Sequence, residues 1–147
     1  MPGKLSDFIP VDGQKRIAQA ITEAERRTSG EICVHVTPHT HGNTLRRATK
    51  TFNRLGLYRT VGRNAVLIFI AYKDRRVAIL GDTGINAQVA DNFWDEATAL
   101  LTGGLAQGNV VEGICKTIAL IGEQLSNLFP ARRDDVNELS NEVTYED

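Results

Sequence analysis

The stretch TSGEICVHVTPHTHG, residues 28–42, holds all three histidines of the 147-residue chain and one of its two cysteines. Cys33, His35, His39 and His41 are the residue types that bind zinc, at about 2.0–2.3 Å in a tetrahedral set. Their spacing matches no standard zinc finger. Cys33 and His35 fall on one face of an alternating run, while His39 and His41 fall in the loop beyond it. That favours a buried Cys33, a hydrogen-bonded His35 and two solvated loop histidines, with a transition-metal site as the alternative. A second set of residues offers oxygen: Glu31, Asn64, Asp82 and Asp91, with Asp74 further off. Carboxylate and amide oxygens are what calcium or magnesium takes. Each also has a structural role open to it. Asp82 suits a helix cap, Glu31 a helix dipole or an arginine, and Asn64 and Asp74 suit turns.

The surrounding elements decide which of these residues meet. In residues 11–30, Asp12 is a good N-cap, Ile17, Ala20, Ile21 and Ala24 form a helical stripe, and Gly30 is a stop signal. EICVHVT alternates as a strand does. The segment LRRATKTFNRLGL predicts a helix with Leu45, Ala48, Thr49, Phe52 and Leu55 inward and Arg46, Arg47, Lys50 and Arg54 outward. NAVLIFIAY is an apolar run of the kind found in strands buried on both faces. VAILGD follows closely, so the pair predicts an antiparallel hairpin with Asp74 and Arg75 at its tip. Residues 81–104 predict one helix ending at Gly103 and Gly104, with Ile85, Phe93, Ala97, Leu101 and a mostly buried Trp94 on its apolar side. Residues 109–129 predict another, ended by Pro130. Residues 131–147 are charged and read as a loosely packed last helix or a frayed tail.

A strand, a helix and a second strand imply a right-handed crossover and a parallel pair. The hairpin adds an antiparallel strand, and helices on both faces give an α/β fold, a three-layer α/β/α sandwich around a small mixed sheet. In that topology Glu31, Asn64 and Asp82 share one sheet edge. Asp91 lies about two turns into the next helix, roughly 9 Å along it. Asp74 lies at the opposite edge with the histidine loop, roughly 25 Å of strand from Asp82, so the two do not share an ion. Ligands of open α/β sheets bind at the carboxyl ends of parallel strands, which is the Asp74 edge. Both edges therefore stand as candidate sites.

The length suits one domain, over residues 1–130, with 131–147 as its tail. A net charge of −1 does not suit a polybasic nucleic-acid binder, and no aromatics interleave the basic helix to stack on bases. The acidic run from Asp134 to Asp147 is placed to neutralise that helix. Cys33 and Cys115 lie in apolar segments, as reduced thiols do. The opening MPGKLSDFIP lacks a signal peptide's order, and no apolar stretch reaches membrane-spanning length. The expectation is a cytoplasmic protein with no membrane or nucleic-acid partner. No P-loop, GxSxG or Cys-His-Asp order marks a nucleophile.

The blocks TSGEICVHV, GRNAVLIFIAYKDRRVAILGDTGIN, VADNFWDE and GNVVEGI resemble the TPM domain over roughly residues 12–128. This is the family of the thylakoid photosystem-repair protein and of many bacterial proteins. The resemblance implies a Rossmann-like sandwich, calcium or magnesium binding in some members and phosphatase activity in a few. Its pattern carries over to Gly30, Glu31, Asn64, Asp74, Arg75, Gly81, Gly84 and Asp91. Asn86 stands where relatives often have a glutamate, and GNV stands where they often have an acidic residue and a tyrosine. Both departures weaken an acid-dependent catalytic role. The resulting expectation is a TPM-like domain that binds a divalent cation through Glu31, Asn64, Asp82 and Asp91, or through Asp74. If it is an enzyme, the reaction is metal-assisted phosphate-ester hydrolysis with Arg75 and Arg76 holding phosphate. The alternative is a non-catalytic module whose loops are ordered by metal and whose partner is another protein.

Overall fold

The structure, a computed structural model, describes residues 5–90, 92–131 and 141–146. The three expected strands are present: β1 (Glu31–Thr37), β2 (Ala65–Ala71) and β3 (Arg76–Gly81). β1 and β2 pair in parallel, Glu31 opposite Ala65 through Thr37 opposite Ala71. β2 and β3 pair antiparallel, Val66 opposite Gly81 and Ala71 opposite Arg76. β2 is buried along its whole length, as an uninterrupted apolar run requires of a central strand.

Helices cover both faces. α1 (Leu5–Phe8), α2 (Val11–Glu25), α5 (Phe93–Ala106) and α6 (Val110–Leu128) pack on the face of Ile32, Val34, Val36, Val66, Ile68 and Ile70. α3 (Thr44–Arg54) and the 3-10 turn Leu57–Arg59 cover the other, on Cys33, Leu67, Phe69 and Ala78. Period-two alternation along β1 and β2 sends successive side chains to the two layers.

Several local expectations are corrected. α2 is capped by Pro10, with Asp12 in its first turn, and it ends at Glu25 rather than near Gly30. α3 is rotated from the expected phase. Leu45 is 57 % exposed, while Ala48, Thr51 and Phe52 are buried. The predicted helix over 81–104 is two: α4 (Thr83–Asn86) and α5. α5 runs on through Gly103 and Gly104, and a Cβ at Gly104 would lie 2.6 Å from the Cα of Gly113 on α6, so the glycine lets the two helices meet closely. Trp94 is half-buried, Phe93 taking the core position beside it. The Trp94 indole N–H donates to Asn86 Oδ1 at 3.0 Å, and its ring lies over Gly81, where a Cβ would stand 2.4 Å from it.

Residues 141–146 are neither helix nor frayed tail. Thr144–Tyr145 form β4, parallel to β1, with His35 opposite Thr144 and Val36 opposite Tyr145. The sheet order is β3-β2-β1-β4. No helix among the described residues is long and apolar enough to cross a membrane.

Candidate functional site

At the edge where β1 and β2 begin, Glu31, Asn64 and Asp82 do come together, and each is 6 % exposed or less. The oxygens of Asp82 are engaged. Arg63, in a left-handed conformation at φ 49°, turns its guanidinium onto Asp82. Its Nε and Nη2 donate to Oδ2 and Oδ1 at 2.7 and 2.9 Å, a bidentate pair. Asp82 Oδ1 also accepts the Thr83 N–H at 2.7 Å and so caps α4. Gly84 N–H donates to the Arg63 carbonyl at 2.9 Å, closing the arrangement.

Glu31 meets Glu25, whose position in α2 gave no sign of a role. Glu25 reaches past the sheet edge, accepts the Ile32 N–H at 2.9 Å and shares a hydrogen bond with Glu31. Burial pushes the Glu25 carboxyl up to about 8; the Ile32 N–H opposes this and the Glu31 carboxylate adds to it. The pair therefore holds a proton at neutral pH. Asn64 Nδ2 approaches Ser29 Oγ at 3.4 Å, while its Oδ1 is buried with no hydrogen-bond partner. Asp91 lies outside the described residues. At this edge Asp82 thus carries an arginine, and Glu25 and Glu31 share a proton.

The opposite edge is built on the turn between β2 and β3. Asp74 is more than a turn residue. Its Oδ1 lies 2.8 Å from His39 Nδ1, and its Oδ2 accepts the Thr40 N–H at 2.7 Å. The His39 hydrogen bond, then the Thr40 N–H, hold Asp74 below the usual carboxylate range. The His41 ring lies beside that of His39, 6.2 Å between centroids and tilted by 32°. Among the described residues, no three His, Cys, Asp or Glu side chains are grouped to hold a metal ion.

Beside Asp74, Arg75 adopts φ 56° and Arg76 begins β3. Both line a cavity of about 380 Å³ whose walls include Phe8, Tyr72, Val77 and Leu105. Phe8 and Tyr72 stack at 4.6 Å, so a helix in the first turns of the chain closes the cavity against the hairpin. Two exposed guanidinium groups over an apolar wall suit an anionic ligand with an apolar body.

Cys33 is buried, and burial pushes its thiol up to about 11, which makes it inert rather than nucleophilic. His35 is 2 % exposed, and its Nδ1 lies 2.6 Å from Thr144 Oγ1. Burial lowers its pKa to about 4, so it is neutral. Of the expected basic face, Arg47 and Arg54 both pair with Glu146; the rest of the acidic run, from Asp134, lies mostly outside the described residues.

A family model described as the TPM domain matches residues 5–124. No curated protein matches the chain. Among solved structures, the NMR structure of the BA42 protein from the psychrophilic bacterium Bizionia argentinensis is similar at 36 % identity and TM-score 0.90, over 97 % of this chain and 99 % of that one. The N-terminal domain of the cg2496 protein from Corynebacterium glutamicum shares the fold at 17 % identity and TM-score 0.66, over 82 % of this chain and 76 % of that one.

Proposed function

Because the chain belongs to the TPM domain family, we propose that it binds a phosphate-bearing ligand at the carboxyl edge of its parallel strands. The observation that carries this reading is the cavity with Arg75 and Arg76 at its rim. Paired guanidinium groups recognise phosphate by bidentate hydrogen bonds, and the stacked Phe8 and Tyr72 offer the remainder of the ligand an apolar surface.

The divalent cation enters this reading with the ligand. Magnesium commonly uses one or two carboxylates plus ligand phosphate oxygens and keeps several waters. Asp74, in the same turn as Arg75, is the carboxylate for that role, and a cation there would neutralise and orient the phosphate. Glu31, Asn64 and Asp82 serve the architecture of the other edge. Among the described residues that line the cavity there is no activated nucleophile, so in this reading hydrolysis would be the work of a water beside the cation.

Calorimetric titration with phenyl phosphate, with and without magnesium, tests the reading. We expect binding that strengthens with magnesium and a dissociation constant raised about tenfold or more in Arg75→Ala with Arg76→Ala, about the worth of one charge-assisted pair. Asp74→Asn should remove the magnesium gain and leave metal-free binding in place. Equal binding by wild type and the double arginine variant would sink the proposal.

A further inference from the structure

β1 is paired with β2 along its whole length, and among the described residues its outer edge is covered in part. Near its start the Ile32 N–H is taken by Glu25. Further along, Thr144 Oγ1 donates to the Val34 carbonyl at 3.3 Å and Glu146 N–H donates to the Val36 carbonyl at 3.0 Å. Two side-chain contacts fix the register. Thr144 meets His35, and Glu146 sits between Arg47 and Arg54 of α3 and pairs with both. Val143 and Tyr145 turn to the opposite side and pack, partly buried, against the main core. The segment therefore alternates apolar, hydroxyl, aromatic, acid, and each type has its own receptor on the domain.

The family model ends at residue 124. The acceptor, made by β1 and α3, lies within the matched residues, and β4 lies beyond them. The buried Nε2 of His35 has no hydrogen-bond partner among the described residues, and its Nδ1 is the ring nitrogen that meets the resident strand.

We propose that the outer edge of β1 is a docking site for an extended segment of another protein, added as a parallel strand and read by a hydroxyl against His35 and a carboxylate, two residues on, between Arg47 and Arg54. The chain's own Val143–Glu146 is the resident occupant. Main-chain hydrogen bonds hold a strand added to a sheet edge, and alternate side-chain receptors select it. The partner is an acidic extended peptide rather than an apolar helix, because the receptor at its end is a pair of arginines. The tethered resident strand competes at high effective concentration, so weakening it should strengthen binding of the incoming one. This inference does not rest on the phosphate reading, and the two edges can be tested separately.

The probe is a fluorescein-labelled peptide with the core Val-Thr-Tyr-Glu in unrelated flanks, titrated into the full chain by anisotropy. The Glu146→Ala variant should bind it about tenfold or more tightly than wild type, with NMR shifts at the Val34 and Val36 amides. A peptide with lysine in place of its glutamate, which leaves the protein untouched, should lose that gain. So should Arg47→Ala with Arg54→Ala in the Glu146→Ala background. Absence of binding to Glu146→Ala, or equal binding of the lysine peptide, overturns the proposal. A wild-type dimer in sedimentation that Glu146→Ala abolishes would assign the edge to a second copy of this chain and overturn it as well.

Discussion

Gly84→Ala is expected to destabilise the domain by about 3 kcal/mol, at the upper end of overpacking costs. The added Cβ would lie 2.2 Å from the Gly62 carbonyl oxygen and 2.7 Å from that of Arg63. Both are backbone atoms, so no rotamer change relieves the contact. Moving them would disturb the Gly84 N–H bond to Arg63, the Asp82 N–H bond to Ala65 and the guanidinium seated on Asp82. Gly103→Ala is the control. Nothing lies within 4 Å of its Cβ, and it is inside a helix, so it should gain about 0.5–1 kcal/mol. Urea melts check both. A loss below about 1 kcal/mol for Gly84→Ala would show that the start of α4 is not where the structure puts it.

The second large effect concerns Glu25 and pH. Its carboxyl rises from about 4.5 to about 8 on folding, first through burial. A folded state that keeps a proton the unfolded state has lost gains stability at low pH. That gain is complete below about 4.5 and is lost as the pH climbs from there to about 8. Each pH unit in that window is worth at most about 1.4 kcal/mol, discounted because the carboxyl is partly open to water. Glu25→Gln keeps the acceptor for Ile32 N–H and a donor toward Glu31 but has no proton to lose. We expect it to exceed wild type by about 2–4 kcal/mol at pH 8, with the advantage vanishing near pH 5. Wild-type stability that is flat between pH 5 and 8 would reject this account.

The sheet was legible because strand patterns are local. EICVHVT alternates, NAVLIFIAY is apolar throughout, and a short polar turn separates it from VAILG. Gly81 and Gly84 stood out by resemblance, and their contacts with Trp94 and with the Gly62–Arg63 backbone supply the physical reason. The phase of α3 was not legible. Arg47 turns partly inward because Glu146 meets it, and that partner is 99 residues away. β4 had a weak signal in the β-branched and aromatic run Val143-Thr144-Tyr145, hidden within charged surroundings. The sheet edges of Glu31, Asn64, Asp82 and Asp74 followed from topology, but their partners did not. Arg63 reads as a solvated charge unless its left-handed backbone is known, Glu25 reads as the polar end of a helix, and the His39–Asp74 pair forms only when a loop folds over a hairpin.

The late position of β4 also has a consequence on the ribosome. β2 and β3 are joined by a tight turn, and such hairpins close in about 1–10 μs. β1 joins them once α3 has crossed over, whereas Thr144 meets His35 only across 109 residues. Synthesis at about 5–20 residues per second separates Leu128, the end of α6, from Glu146 by roughly 1–4 s. For that interval the nascent domain has its core but carries an open strand edge, the kind of template on which neighbouring nascent chains add and aggregate. Glu25 already holds the Ile32 N–H, and Arg47 and Arg54 keep like charges beside the remainder. On a crowded polysome, each copy would thus repel the next copy's edge until its own acidic strand arrives to close it.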